Sequence, residues 1–155
     1  MLVPLDYKDL LKVLNKHKVR YLIIGAYAVI HYTEPRYTKD LDVWVEPTAE
    51  NAKKVYGALK EFGAPLKDVK IEDFTRPDLI YQVGVPPVRV DIIMSVMGMG
   101  FEAAWKTRTR TKIDEVETNI IGMRDLVKSK ERVSRPADLI DIANLKLGLK
   151  LKRRS

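Results

Sequence analysis

The run Asp40-Leu41-Asp42-Val43-Trp44-Val45 constrains the fold more than any other segment of the chain. Its apolar residues recur at every second position, a period of two that a helix cannot present as one face. On a strand, residues i and i+2 point the same way, so Leu41, Val43 and Val45 face a core while Asp40 and Asp42 stand together opposite. Two carboxylates held so close repel each other and lose hydration unless a cation lies between them. A divalent metal is the direct candidate. The alternative is an ion-paired strand with Arg36, Lys39 or Arg89 as the counter-charge.

The chain around this strand is a globular protein of 155 residues, 46% apolar and 32% charged, enough for one domain with a core and too short for two. Its longest apolar stretch, Tyr21 to Ile30, is about half of a membrane span. Asp6, Lys8 and Asp9 interrupt any signal-like apolar region. With no cysteine, disulfides, thiolate nucleophiles and Cys-ligated zinc are excluded. The expectation is a cytoplasmic protein with no membrane association. The net charge of +7 is concentrated at the end: residues 124–155 hold ten Lys/Arg against four Asp/Glu, leaving the rest at +1. Such a basic part suits a polyanion, either RNA or nucleotide phosphates, or is a solvated helix face.

Helical spacing of Tyr7, Leu10, Leu11 and Leu14 predicts a first helix from about Leu5 to His17. Val19 to Ile24 reads as a strand ended by Gly25, and Ala26 to Tyr32 as a short helix. Thr48 is the expected N-cap of a helix that Gly63 stops. Residues 64–79 read as loop. Leu79–Val85 and Val88–Met94 are expected as an antiparallel pair across Pro86-Pro87, followed by a short helix from Phe101, one strand from Ile113 to Ile121 and a helix from Met123 to Glu131. Pro136 opens a last helix carrying Ile140, Ala143, Asn144 and Leu147 on one side. The reading is a single α+β domain, a small mixed sheet packed with helices, spanning 1–155 with its basic helical part at 124–155.

In Val88-Arg89-Val90-Asp91-Ile92, Asp91 opposes an apolar face formed by Val88, Val90 and Ile92. If this strand lies beside that of Asp40 with matching faces, three carboxylates converge. Mg²⁺ takes a few carboxylates together with water and substrate phosphates, and two ions roughly 3.5–4 Å apart clamp an in-line phosphoryl displacement. Gly25, ending a strand and feeding a helix, permits a turn whose backbone N–H groups can hold a phosphate. Arg36 shares the parity of the carboxylates and either pairs a phosphate or props Asp40 and Asp42. Thr38 reads as a β-branched strand residue on the same approach. Lys130 and Arg135 flank the last helix and either reach a triphosphate or form an exposed basic loop. Trp44 and Glu46 share the carboxylate face and lie either beside the site or at the sheet edge. His17 and His31 have no partner spacing and receive no role.

Ile24-Gly25-Ala26, then Asp40-Leu41-Asp42-Val43, then Val90-Asp91-Ile92 resemble the three-part motif of the DNA-polymerase-β-like nucleotidyltransferase superfamily. The flanking Tyr21–Val29, Arg36–Pro47 and Arg135–Asp141 segments resemble a small stand-alone prokaryotic branch related to AbiEii-type toxins. The likeness runs over about residues 5–148. It implies transfer of a nucleoside monophosphate from an NTP to a hydroxyl acceptor such as RNA, tRNA or protein, with two Mg²⁺ or Mn²⁺ ions. Asp40, Asp42 and Asp91 would be catalytic and metal-binding; Gly25, Ala26, Arg36, Thr38, Lys130 and Arg135 would meet the nucleotide. A toxin–antitoxin setting is part of the implication. Ala26 departs from the Gly or Ser usual in that motif, which removes a hydroxyl from the phosphate grip and keeps the backbone contacts; the alternative implied is a weakened nucleotide- or RNA-binding module. With about 60 residues after Asp91, a homodimer or partner protein would be needed to complete an acceptor site.

Overall fold

The computed structural model describes residues 5–33, 40–85 and 88–133, together with Ala143, Leu145 and Lys146. Among the described residues the named elements follow in the order α1 (Leu5–Lys16), β1 (Tyr21–Ile24), α2 (Gly25–Tyr32), β2 (Asp40–Val45), α3 (Ala49–Phe62), β3 (Ile80–Val85), β4 (Val88–Ile93), α4 (Phe101–Lys106), β5 (Thr109–Ile113), β6 (Val116–Ile120) and α5 (Met123–Val133). The strands form one mixed sheet in the order β3-β4-β2-β1-β6-β5. The α+β expectation is met. Among the described residues no helix is long and apolar enough to cross a membrane.

Strand parity divides the sheet as the alternation demands. Tyr21, Ile23, Leu41, Val43, Val45, Val90 and Ile92 are all buried, and they join one cluster with the apolar stripe of α1 (Tyr7, Leu10, Leu11, Leu14) and with Ala52, Val55, Ala58 and Leu59 of α3. α3 begins and ends where its residues dictate. The Thr48 hydroxyl accepts the Asn51 N–H at 3.2 Å, and Gly63 takes the left-handed conformation, φ +90°, that closes the helix onto Leu59 and Lys60.

Two stretches depart from expectation. Residues 113–121 are not one strand: Asp114 and Glu115, with φ of +48° and +71°, turn the chain between β5 and β6, which pair antiparallel with Ile113 opposite Val116. Two consecutive positive φ values match the twist of a two-residue hairpin. Asp tolerates that region, but Asp-Glu lacks the glycine that ordinarily signals it. Within residues 64–79, Ile71–Thr75 winds into a 3₁₀ helix because Phe74 buries itself completely while the Asp73 carboxylate accepts the Lys70 N–H. The last helix from Pro136 lies mostly outside the described residues, including Ile140, Asn144 and Leu147; Leu145 is fully buried.

Asn51 locks α3 to the sheet. Its Oδ1 accepts the Arg20 N–H at 2.9 Å, and its Nδ2 donates to the carbonyls of Arg20 and Glu46 at 3.1 and 2.9 Å. With the residue 2% exposed, removing the amide strands three backbone groups. Asn51→Ala is expected to cost about 2–3 kcal/mol in denaturant unfolding; a loss within a few tenths of a kcal/mol would show that water replaces the amide at no penalty.

Candidate active site

Strand β4 lies parallel to β2 with Asp42 directly opposite Asp91 and Asp40 opposite Arg89. Residues in register across a parallel pair share a face, about 4.8 Å apart along the hydrogen-bonding direction. The three carboxylates therefore stand on one side of the sheet, away from the core face of Leu41, Val43, Val90 and Ile92. This is the convergence that the alternation of the two strands requires.

Arg89 sits among them. Its Nη2 lies 3.2 Å from Asp40 Oδ2 and its Nε 3.4 Å from Asp91 Oδ1, so one guanidinium bridges the first and third carboxylates. The bridge leaves demand unmet: Asp91 Oδ1 and Arg89 Nε are buried without a hydrogen bond. Asp42 stands directly across from Asp91. Burial, then the charge of Asp91, then that of Asp40 push its carboxyl up to about 6, against the pull of Arg89 and Lys130. Burial likewise raises Asp91, with Arg89 holding it down. Asp42 thus keeps its proton more readily than an ordinary carboxylate.

The turn after β1 presses on the same group. Gly25 has φ +69°, and a Cβ there would overlap Asp42 Oδ2 and come 3.1 Å from its Cγ. Glycine is required twice over, for conformation and for space. The turn runs straight into α2, so the first backbone N–H groups of that helix and Ala26 open beside the carboxylates. Behind β4, the buried Tyr7 hydroxyl donates to the Arg89 carbonyl at 2.9 Å and accepts the Arg89 N–H at 3.1 Å. Helix α1 thereby fixes the backbone that carries Arg89.

Lys130, on α5, is close enough for its charge to act on Asp42, whereas Arg36, Thr38 and Arg135 lie outside the described residues. Trp44 is buried against Phe101, ring centroids 5.2 Å apart and edge to face; it is floor beneath α4. Glu46 belongs to the other end of the sheet, bound to Arg20 at 2.6 Å. His17 meets Glu61 and His31 packs on Tyr32, both apart from the acids. Two site residues carried signals that alternation alone did not rank. Arg89 shares the parity of Asp91 two positions later, and Tyr7 read only as part of a helix stripe.

Among the described residues no three acidic or imidazole groups close into a metal-holding cluster; the cation within the trio is Arg89. The donor set nevertheless suits a hard divalent ion. It consists of carboxylate oxygens alone, one of them buried without a hydrogen bond, and includes an acid whose carboxyl burial and its acidic neighbours push up to about 6.

No family model matches the chain, and no curated protein matches its sequence. Solved structures do match in shape. The lincosamide antibiotic adenylyltransferase LnuA, with lincomycin bound, superposes with a TM-score of 0.61 at 16% identity, covering 94% of this chain and 97% of its own. TM1012 of Thermotoga maritima, a protein with a provisional nucleotidyltransferase assignment, gives 0.61 at 12% identity, covering 92% and 93%. The ANT(2″)-Ia complex with adenylyl-2″-tobramycin gives 0.59 at 10% identity, covering 95% and 89%. At these identities the likeness is one of fold, and the fold is that of the nucleotidyltransferases.

Proposed function

We propose that the chain is a metal-dependent nucleotidyltransferase, moving a nucleoside monophosphate from an NTP to a hydroxyl acceptor. The observation that carries the reading is the register of Asp42 against Asp91, with Asp40 beside them and the Gly25 turn in van der Waals contact with Asp42. A fold shared with two antibiotic adenylyltransferases supports the reaction class. Asp40, Asp42 and Asp91 would hold Mg²⁺ or Mn²⁺, two ions in all. When bound, such ions neutralise the phosphates and stabilise charge on the attacking and leaving oxygens.

The chain's own residues do the rest. The N–H groups at Gly25 and Ala26 hold phosphate oxygens, and Lys130 adds positive charge from the facing helix. Arg36, Thr38 and Arg135 complete the nucleotide grip. The acceptor oxygen attacks the α-phosphorus, its bond to the bridging oxygen breaks, and pyrophosphate leaves; Asp91, whose Oδ1 has a free lone pair, takes the acceptor proton. Arg89 positions Asp40 and Asp91. RNA, tRNA or a protein hydroxyl would be the acceptor, with a homodimer or partner protein completing its site and a toxin–antitoxin pair as one setting. A second reading, a binding module of the same fold, draws on Ala26 and on the guanidinium already bridging two carboxylates.

Incubation with α-³²P-labelled NTPs, Mg²⁺ or Mn²⁺ and acceptors decides between them: label transfer that is lost in the Asp40→Ala, Asp42→Ala double variant supports the enzyme. Transfer that survives it removes the assigned site, and nucleotide binding by calorimetry without any transfer supports the module. Arg89→Gln is expected to lower transfer about 10–100-fold, the usual cost of losing a group that orients metal-binding carboxylates. Unchanged rates would assign the guanidinium to stability alone.

A further inference from the structure

A concavity lies away from the acids. Its volume is about 650 Å³, and its lining includes Lys18, Arg20, Arg108, Arg110 and Lys112 against one carboxylate, Glu117. The register places its charged lining on the acidic face of the sheet. Ile23 pairs with Ile120 on the core side, so Glu117 and Asn119 face the other way, as do their β5 partners Lys112 and Arg110. Arg20 and Gly25 bracket the four residues of β1, which separates the cleft from the Gly25 turn by about 16 Å along the strand.

The cations here are organised for a ligand more than for each other. Arg108 stacks on Trp105, its Cζ 3.7 Å from the ring centroid. Its Nη1 donates to the Trp105 carbonyl at 2.8 Å and its Nε to Asn119 Oδ1 at 3.4 Å. Arg20 covers the same ring at 4.8 Å, but Glu46 and Glu102 neutralise it. Among the described residues no carboxylate comes within ion-pair distance of Arg108, Arg110, Lys112 or Lys18. Burial and the charges of Arg110 and Arg20 depress the Arg108 guanidinium, so like charges are crowded here. Arg110 and Lys112 alternate along the edge strand β5, a step of about 6.7 Å comparable to that between successive phosphates of a single strand, and Arg108 lies just before its start.

We infer that this cleft docks the phosphodiester backbone of a single-stranded nucleic acid, whose end then reaches along the sheet to the carboxylates as the acceptor. The inference rests on the transferase reading for the last step only. Trp105 is already covered by Arg108, so recognition is through phosphates and not through base stacking, and it tolerates sequence.

The test is fluorescence anisotropy with labelled 12-nucleotide RNA and DNA oligomers over a range of salt, on the wild-type chain, on Arg110→Glu with Lys112→Glu, and on Asp42→Asn. Three or four phosphate contacts predict a slope of log K against log salt of about −2 to −3 for a single strand. The charge reversal is expected to weaken binding at least 10-fold with an unchanged thermal midpoint, whereas Asp42→Asn binds as wild type. Should the reversed variant misfold, Arg110→Ala with Lys112→Ala, both exposed, is expected to weaken binding about 5-fold. Binding of either oligomer through these residues supports the inference, and binding of RNA alone adds a ribose contact to it. Wild-type binding that ignores both variants, or no affinity for either oligomer, overturns it and turns the acceptor search to proteins. Label transfer is scored separately: a chain that binds oligomer but transfers nothing refutes the enzyme and spares the cleft, and the converse result does the reverse.

Discussion

Asp42→Asn is expected to reduce nucleotidyl transfer by about 10³-fold or more while making the metal-free protein more stable. Both effects follow from one arrangement. Asp42 is enclosed beside Asp91 and Asp40, and its carboxyl is pushed up to about 6. A folded-state value above the ordinary carboxylate range means that the folded chain binds a proton over a window in which the unfolded chain has released it. Stability therefore falls as pH rises from about 4 to about 6, and the cost is complete above that. A carboxyl held near 6 in place of about 4 corresponds to roughly 3 kcal/mol; with relaxation and the lost polarity of the carboxylate, the amide should recover about 1–2 kcal/mol. Denaturant unfolding in EDTA at pH 8 should show the gain, and the same comparison at pH 4 should show none. A variant that unfolds earlier than wild type at pH 8 would mean that the acids are compensated in the free protein. Retained transfer would mean that the chemistry lies elsewhere.

Gly25→Ala should be nearly as damaging to activity, about 100-fold, for a reason of space. The added methyl group would occupy the position of Asp42 Oδ2, at a residue whose φ of +69° already disfavours any side chain. The expected stability cost is about 1–3 kcal/mol, near 1 from conformation and the remainder from the collision. The two sources separate in a double-mutant cycle. In an Asp42→Ala background the collision partner is gone, so the cost of Gly25→Ala should shrink to its conformational part, a coupling of about 1 kcal/mol or more. Additive costs would show that Asp42 swings aside freely and that the turn and the acid are independent.

The acidic face was legible because a strand has only two sides. Alternation in Asp40–Val45 and in Val90–Ile92 fixes which side each aspartate takes, and burial of the apolar partners enforces it. What alternation does not encode is which strand lies beside which, since β2 and β4 are separated by 42 residues of helix, turn and strand. That pairing rested on resemblance. Arg89 was visible as a possible counter-charge to the acids, but its bridge between Asp40 and Asp91 needs the register of two strands. Trp44 and Glu46 share a parity and part company in depth: α4 covers the first, while Arg20 draws off the second. The β5–β6 hairpin was missed because its turn uses Asp114 and Glu115, two charged residues that carry no bend signal in the absence of glycine. The cleft went unnoticed for the same reason, because Arg110 and Lys112 gain meaning only once the hairpin folds them against Asn119 and Glu117.

The hydroxyl of Tyr7 grips both backbone polar groups of a residue 82 positions further along. The first helix is thus a clasp for the strand that bears the third acid, although its buried stripe of Tyr7, Leu10, Leu11 and Leu14 packs on the core side. The acids and their anchorage come from separate parts of the chain, and trimming the first helix would slacken the acidic site without deleting one of its carboxylates.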